Sequence, residues 1–440
     1  MTTPRIDRRR ALKHLAAAGM TAPFVFRVHA TAAPSETLYH ASFGAAGMAG
    51  GDINALTASK KLKLVAVAEV DLRRTNEIKK RFPDVKVYQD WRALLDKEKK
   101  LNSANVSTPD HMHGSIALRA LQQGLHVYTQ KPLTQTIYEA RQLARVATAK
   151  KLVSQMGIQI HSVGIHRTVV ALVQSGIIGK VREVHSWSGK KCGDRNPRPD
   201  RSDPVPAGFN WNQWLGVAAE RPYIEGYYHP GIWRKRLDFG TGTFGDMGCH
   251  ILDPVFTSLA LTAPKSVCSE GGAPSADSWG LDSKVRYVFP GTRYTTETFT
   301  LYWYDGDCRP PKDVLAVTHR PAWTDQGSIY LGSAGALYSP YIAAPMLLPP
   351  EKFKDYKITR LETQDHYLQF VEACRGNGQT STPFSYSGPL TESVLLGCLA
   401  TRFPKTILEW DAVNLQVTNQ GEANRFVRRR VRKGWEVEGL

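Results

Sequence analysis

The chain has 440 residues, 42% of them hydrophobic and 22% charged, which is the composition of an ordinary globular protein with length for two or three domains. Its formal net charge is +17 at pH 7, yet no recognised nucleic-acid motif accompanies the basic residues. No nucleic-acid partner is therefore expected; the charge indicates either a basic solvated face or attraction of anionic ligands or surfaces. The six cysteines show no CxxC spacing and no close pairing with histidines, so neither a zinc site nor a dense disulfide framework is expected.

Residues 1–33 have the pattern of an export signal. Arg8 and Arg9 form a twin-arginine pair ahead of a short apolar run, and small residues follow around Ala30 to Ala33. The run is too short and too broken to span a bilayer, so no stable membrane insertion is expected. A twin-arginine signal predicts export of the folded protein to the periplasm or the medium, with a tightly bound cofactor already loaded. The alternative is a disordered basic tail.

Residues 36–155 alternate between short apolar strands and amphipathic helices. The strand-like stretches are ETLYHASF, KLKLVAVAEVD, VKVYQD, SANVSTPD and GLHVYTQKP. This alternation predicts a Rossmann-type, doubly wound parallel sheet. From residue 156 to residue 440, longer strands such as VREVHSWS and YTTETFTLYWYDG predict a second α/β domain with a large, mostly antiparallel open sheet.

The stretch FGAAGMAGG is a degraded dinucleotide-binding turn between the first strand and the first helix. A glycine there permits a tight turn, and small residues let the backbone approach a pyrophosphate at the helix N-terminus. Glu69 ends the next strand, near the usual interval for an acid that binds ribose hydroxyls. Because an acid repels a 2'-phosphate, we expect NAD rather than NADP, with Asp71 as the competing acid. A flavodoxin-like sheet without a dinucleotide is the alternative. The turn residues expected at the cofactor are Gly44, Ala46, Gly47 and Met48.

Two later strands end at the same edge of the predicted sheet. Lys131, followed by Pro132, ends one of them beside the expected nicotinamide. A lysine there can donate a hydrogen bond to a reacting hydroxyl and lower the pKa of that hydroxyl. His111 and His113 are two residues apart, which is a poor spacing for joint metal ligation from one helix face. The cofactor residues expected after the other strand are Ser107, Thr108, Pro109, His111 and His113.

The stretch GTGTFGDMGCHILD places Asp246 four residues before His250. On a helix beginning near Asp246, the two side chains would share one face. Such a pair could be two metal ligands, part of an acid–base relay, or a helix cap beside a core histidine. The pair alone does not separate these interpretations.

Taken together, these motifs resemble the Gfo/Idh/MocA oxidoreductases, the family of glucose–fructose oxidoreductase and inositol dehydrogenase. The resemblance runs through the dinucleotide turn, TPDHMH, QKP, GDMGCHILD and GFNWNQWLG, and covers nearly everything after the signal. It implies an NAD-dependent enzyme that transfers a hydride between nicotinamide and a hydroxyl carbon of a sugar, glycoside or cyclitol. It also implies a homo-oligomer, a dimer or tetramer, formed through the open sheet.

The resemblance also implies roles for individual residues. Lys131 would polarise the hydroxyl, His250 would be the general acid/base with a pKa near about 6.5, and Asp246 would orient substrate or histidine. Gln130 stands where the family has glutamate, which removes a negative charge beside Lys131. Gln130 and Gln159 are expected at the cofactor, although structural roles stay open for Gln159 and His161, and ordinary packing stays open for Trp233. The residues expected at the substrate are His161, Trp233, Arg234, Asp246 and His250, and no metal is expected.

Two other functions stay open at this point. A redox glycosidase would oxidise a sugar transiently, eliminate the aglycone and restore the cofactor, which suits an exported protein without an outside NAD pool. A non-catalytic, exported sugar-binding protein on the same scaffold is the second alternative. The joint presence of Lys131, Asp246 and His250 argues against it.

Overall fold

The computed structural model describes residues 37–440, and the predicted export signal at residues 1–33 lies outside them. The strands are β1 Leu38–Phe43, β2 Leu62–Ala68, β3 Lys86–Tyr88, β4 Ser103–Val106, β5 His126–Gln130, β6 Ser154–Gly157, β7 Val181–Ser188, β8 Ser266–Ser269, β9 Lys284–Pro290, β10 Thr295–Asp305, β11 Gln326–Gly332, β12 Ala336–Pro340, β13 Met346–Leu348, β14 Ile407–Asp411 and β15 Gln416–Val417. The helices are α1 Met48–Thr57, α2 Asn76–Arg81, α3 Trp91–Lys97, α4 Asp110–Gln122, α5 Ile137–Ala149, α6 Gly164–Gln174, α7 Trp211–Leu215, α8 Gly242–Ile251, α9 Asp253–Leu259, α10 Lys312–Ala316, α11 His366–Cys374 and α12 Phe384–Ala400.

The first sheet has six strands in the order β3-β2-β1-β4-β5-β6, and every neighbouring pair is parallel. Strands such as β4 are fully buried, which explains their short and nearly continuous apolar sequences. The strand order reverses between β1 and β4, the place where ligands bind in doubly wound sheets. The predicted doubly wound sheet is confirmed.

The second sheet has nine strands in the order β13-β12-β11-β7-β10-β9-β8-β14-β15. All neighbours are antiparallel except β7 and β10, which are parallel. Along β9 every second residue is buried, as expected for a strand with one face on the core. The predicted large, mostly antiparallel sheet is therefore confirmed.

One continuous hydrophobic core joins the two sheets. It includes Val127 of β5, Trp303 of β10 and Val394 of α12, all fully buried. Helix α12 packs against both α5 and α8, so it fixes α8 between the parallel sheet and the antiparallel one. The domain boundary expected near residue 155 stays a prediction. Across residues 37–440, no helix has the length and apolar composition that crossing a membrane requires.

Candidate active site

A cleft of about 340 Å³ lies at the carboxyl ends of the parallel strands. At its base Gly44 adopts a φ of +102°, and a Cβ added there would lie 2.8 Å from the Ser107 carbonyl oxygen and 2.9 Å from the Ala49 Cβ. Only glycine fits this turn. Helix α1 begins at Met48 with no side-chain cap and no acidic residue in its first turn, which suits an incoming phosphate.

Of the two candidate ribose-binding acids, Glu69 lines this cleft and Asp71 does not. Its Oε2 accepts a hydrogen bond from the Ala45 amide at 3.1 Å, and its Oε1 accepts one from the Asp71 amide at 3.0 Å. Burial raises the pKa of Glu69, and these two amides oppose that shift. Asp71 instead accepts two hydrogen bonds from the Arg73 guanidinium, both at 2.7 Å. Of the two candidate acids, Glu69 has the free lone pairs and the access to bind ribose hydroxyls.

Most of the predicted cofactor residues line the cleft, but two do not. The His111 ring packs against Trp214 and Phe239, and its Nε2 lies 3.0 Å from the Trp214 carbonyl oxygen. Gln159 donates to the hydroxyls of Tyr128 and Tyr367 behind the sheet edge. His111 and Gln159 are therefore held by these partners and are not among the residues that line the cleft. The predicted cofactor residues that line the cleft are Gly44, Ala46, Gly47, Met48, Glu69, Ser107, Thr108, Pro109, His113, Gln130 and Lys131.

The turn that requires glycine, the uncapped helix and the buried acid together fit a dinucleotide. Glycine lets the backbone approach the pyrophosphate, the free amides of α1 would hold it, and Glu69 would bind the ribose hydroxyls. The indole Nε1 of Trp91, in the same cleft, is buried without a hydrogen-bond partner among the described residues. The site therefore has the donors and the acceptor that NAD requires.

Gln130 is directed towards a buried aspartate rather than towards Lys131. Its Nε2 lies 3.0 Å from both carboxylate oxygens of Asp52, which also accepts from Ser107 Oγ at 2.7 Å and the Tyr367 hydroxyl at 2.8 Å. Asp52 is fully buried. The substitution of Gln for the family's Glu is thus explained by Asp52, because two carboxylates could not share this contact.

Asp246 and His250 lie on α8, and Asp246 pairs with Lys131. The helix begins at Gly242 with Thr241 as its N-cap residue, so Asp246 is in the second turn. A helix beginning near Asp246, and with it the capping interpretation, is wrong. Lys131 Nζ lies 2.5 Å from Asp246 Oδ1 and 2.9 Å from the Asp246 carbonyl oxygen. Burial alone would raise the pKa of Asp246, but Lys131 and Arg234 hold it well below its usual range.

His250 has an imidazole without hydrogen-bond partners among the described residues, and its Nδ1 is buried. The Tyr341 ring lies edge-on to it, with 6.5 Å between the ring centroids. Burial, and then the charge of Lys131, lower the pKa of His250 well below 6.5. The expected unperturbed pKa is therefore wrong, and the imidazole is neutral at neutral pH.

Of the residues expected at the substrate, Trp233 and Arg234 line the cleft, whereas His161, Asp246 and His250 are not among its lining residues. The Arg234 guanidinium stacks on Trp233 at 4.4 Å and lies 3.2 Å from Asp110 Oδ1. His161 Nδ1 pairs with Asp253 Oδ1 at 2.9 Å and lines a separate cavity.

The sequence interpretation missed Lys190 and Asp110. Lys190 Nζ lies 3.2 Å from Asp246 Oδ2, and Asp110 is a fully buried partner of Arg234. Lys190 lies two residues after the end of β7. In a mixed sheet, however, a position at the end of a strand does not predict a binding site. Asp110 could have been found from the sequence, because it belongs to the motif TPDHMH and is the first residue of α4.

Comparisons with known proteins agree with this geometry. Residues 41–158 match the oxidoreductase family model GFO_IDH_MocA, described as an NAD-binding Rossmann fold, and residues 166–292 match the model of its C-terminal alpha/beta domain. The chain is similar in structure, with a TM-score of 0.57, to an inositol dehydrogenase homolog from Azotobacter vinelandii. That crystal structure is a complex with NADH and myo-inositol. The match has 16% identity and covers 86% of this chain and 98% of that one, which supports the fold alone.

Curated relatives are similar over part of their length. Levoglucosan dehydrogenase from Pseudarthrobacter phenanthrenivorans is 21% identical over 42% of this chain and 40% of its own. D-glucoside 3-dehydrogenase from Escherichia coli is 25% identical over 47% of this chain and 49% of its own. The chain thus spans less than half the length of these relatives. The two family models together cover more than half of the chain, and the chain belongs to the Gfo/Idh/MocA oxidoreductase family, with an NAD-binding Rossmann domain.

Proposed function

We propose that the protein is an NAD-dependent oxidoreductase that acts on a hydroxyl-bearing carbon of a sugar, glycoside or cyclitol. The observation that carries the proposal is the pairing of Asp246 with Lys131, which lines the cleft that fits NAD, with His250 close enough for Lys131 to lower its pKa. The relatives are named for levoglucosan, for a D-glucoside and for scyllo-inositol, which are carbohydrates or cyclitols. A substrate of that class follows from these names and from the polar side chains at Lys131.

In the proposed reaction the substrate hydroxyl lies between Lys131 and His250. The Lys131 ammonium has three N–H donors, of which Asp246 takes two, so one remains for the substrate oxygen. Neutral His250 accepts the hydroxyl proton, because its lowered pKa leaves a free lone pair at neutral pH. When bound, NAD would supply the hydride acceptor for the same carbon. Asp246 keeps Lys131 protonated and in place.

The first experiment asks whether the protein carries or binds the cofactor. The purified protein is denatured and the released dinucleotide is identified, and NAD binding to the apoprotein is measured by calorimetry. We expect NAD in the released fraction or tight binding of added NAD. If neither occurs, the proposal fails and a non-catalytic sugar-binding protein becomes the better description.

The second experiment follows absorbance at the NADH wavelength with a panel of free sugars, glycosides and cyclitols. Net NADH formation supports a dehydrogenase. Release of aglycone without net NADH would instead indicate a redox glycosidase, and His250→Ala should strongly reduce either activity.

We also propose export by the twin-arginine route and assembly into a homo-oligomer through the open nine-stranded sheet. The basis is the Arg8-Arg9 pattern and the family's use of such sheets. Cell fractionation with Arg8→Lys/Arg9→Lys as control tests the export, which should stop in that variant. Light scattering at micromolar concentration tests the assembly, and a strict monomer would refute it.

A further inference from the structure

Three cations surround the Asp246 carboxylate, and two of them, Lys131 and Arg234, line the cleft. Lys131 Nζ lies 2.5 Å from Asp246 Oδ1, Arg234 Nε lies 3.4 Å from the same oxygen, and Lys190 Nζ lies 3.2 Å from Oδ2. Asp246 is almost fully buried, with 4% of its surface exposed. The single negative charge of Asp246 therefore cannot neutralise the three cations that contact it.

The nearby anions do not balance the three cations. Arg234 has a second partner in Asp110, whose Oδ1 lies 3.2 Å from its Nη1. Pairing Lys131 with Asp246 and Arg234 with Asp110 leaves Lys190 without a carboxylate of its own among the described residues. Cys192, with Sγ 3.9 Å from Asp246 Oδ2, cannot supply the missing charge because burial raises the pKa of its thiol.

The pKa shifts within the cluster have the direction that an excess of positive charge requires. Burial lowers the pKa of Lys131, and Arg234 adds to that shift against Asp246. Burial also lowers the pKa of His250, and both Lys131 and Lys190 add to it. His250 is therefore neutral and contributes no charge, so the cluster carries one uncompensated positive charge.

A half-exposed ammonium keeps its hydration in the free protein, and a ligand carboxylate that pairs with it would form a charge-assisted hydrogen bond. Lys190 is the one of the three that an incoming molecule reaches most easily, with 48% of its side chain exposed against 11% for Lys131 and 22% for Arg234. The net charge of +17 would also attract anions to the protein. Lys131 and Arg234 of this cluster line the cleft, so an anionic group of a substrate bound there is the candidate partner for Lys190.

We propose that the substrate is a carbohydrate acid whose carboxylate binds to Lys190. The inference rests on the proposed oxidoreductase function and narrows its substrate class. A carboxylate matches the single unbalanced charge, whereas a phosphate monoester carries about 1.5 to 2 negative charges at neutral pH and exceeds it. A neutral sugar would leave the charge of Lys190 unbalanced.

The test compares two pairs of probes in the presence of saturating NAD: D-glucuronate with D-glucose, and D-galacturonate with D-galactose. The thermal midpoint of the protein is measured with each probe, so the readout does not depend on turnover. The variant is Lys190→Gln, which removes the charge and keeps most of the length. The matched control is Lys191→Gln, because Lys191 is equally exposed, at 50%, but pairs with Asp307 at 2.6 Å outside the cluster.

We expect the acids to raise the thermal midpoint more than their neutral partners do. Lys190→Gln should abolish that difference and weaken uronate binding by about 10- to 100-fold, the range for a hydrogen bond between charged groups. Lys191→Gln should retain both. Equal shifts with acid and neutral sugars, or an equal loss in both variants, would overturn the inference.

The inference and the oxidoreductase function fail separately. Binding of a uronate that depends on Lys190, without NADH formation, would support the carboxylate site and count against a dehydrogenase. NADH formation with neutral sugars alone would leave the dehydrogenase standing and overturn the carboxylate site.

Discussion

Replacing Gln130 with Glu is the most direct test of the polar contacts behind the cleft. The change would place a second carboxylate 3.0 Å from both oxygens of Asp52, in a position that is 4% exposed. Two charges at that 3.0 Å separation repel by about 5.5 kcal/mol at an effective dielectric constant of about 20. The substitution restores the family's Glu-Lys-Pro motif, yet we expect it to destabilise this protein.

The cost is limited by protonation, which makes it depend on pH. One of the two carboxyls can avoid the repulsion by staying protonated. For a carboxyl with an ordinary pKa of about 4.3, the free energy of keeping it protonated is about 3.7 kcal/mol at pH 7 and only about 1 kcal/mol at pH 5. The folded variant thus binds a proton that its unfolded chain releases. Its stability deficit should therefore grow as the pH rises from about 5 to about 7.

Urea unfolding followed by tryptophan fluorescence at both pH values measures this deficit against the unmodified protein. The control is the double variant Asp52→Asn/Gln130→Glu, in which an amide and a carboxylate again face each other, and most of the stability should return. A Gln130→Glu protein as stable as the unmodified one at both pH values would refute the reasoning.

Three further predictions concern the cleft. His250→Ala should reduce turnover by about 100- to 10,000-fold with NAD affinity nearly unchanged. Because the pKa of His250 lies below 6.5, the rate of oxidation by the unmodified protein should not change with pH near neutrality and should decline only in acid. Full activity of that variant on an identified substrate would remove His250 from the reaction. Glu69→Ala should improve the affinity for NADP relative to NAD in calorimetric titrations, since the acid beside the Ala45 amide is lost; an unchanged ratio would contradict its role at the ribose. Gly44→Ala should weaken NAD binding severely and lower stability, because its Cβ would meet the Ser107 carbonyl at 2.8 Å with φ at +102°; Gly51→Ala, which adds a Cβ into open space on α1, is the matched control and should bind NAD normally.

The sequence was sufficient for features that depend on local pattern. The alternation of strands and helices predicted the parallel sheet, and the glycine turn with Glu69 predicted the side of that sheet where the cleft lies. Lys131 and Asp246 are 115 residues apart, and only their resemblance to a family motif brought them together before the structure did.

Other features depend on contacts that no local pattern encodes. The lowered pKa of His250 comes from burial and from Lys131, both supplied by distant segments. His111 belongs to the same motif as His113, yet Trp214 and Phe239 hold its ring in the core. Lys190 becomes part of the site because β7 ends beside α8, which is a matter of tertiary packing.

The hydrogen bond from Tyr367 to Asp52 spans 315 residues of sequence, and the ion pair of Arg429 with Glu139 spans 290. Both tie the end of the chain to helices of the parallel sheet. During synthesis, the Rossmann domain would leave the ribosome long before Tyr367 and Arg429 are translated. Asp52 and Glu139 would therefore lack these partners for most of the translation time. Folding with such distant contacts is slow, because a large loop must close before the contacts stabilise it. NAD would accordingly associate with a nearly full-length chain rather than with a nascent N-terminal half.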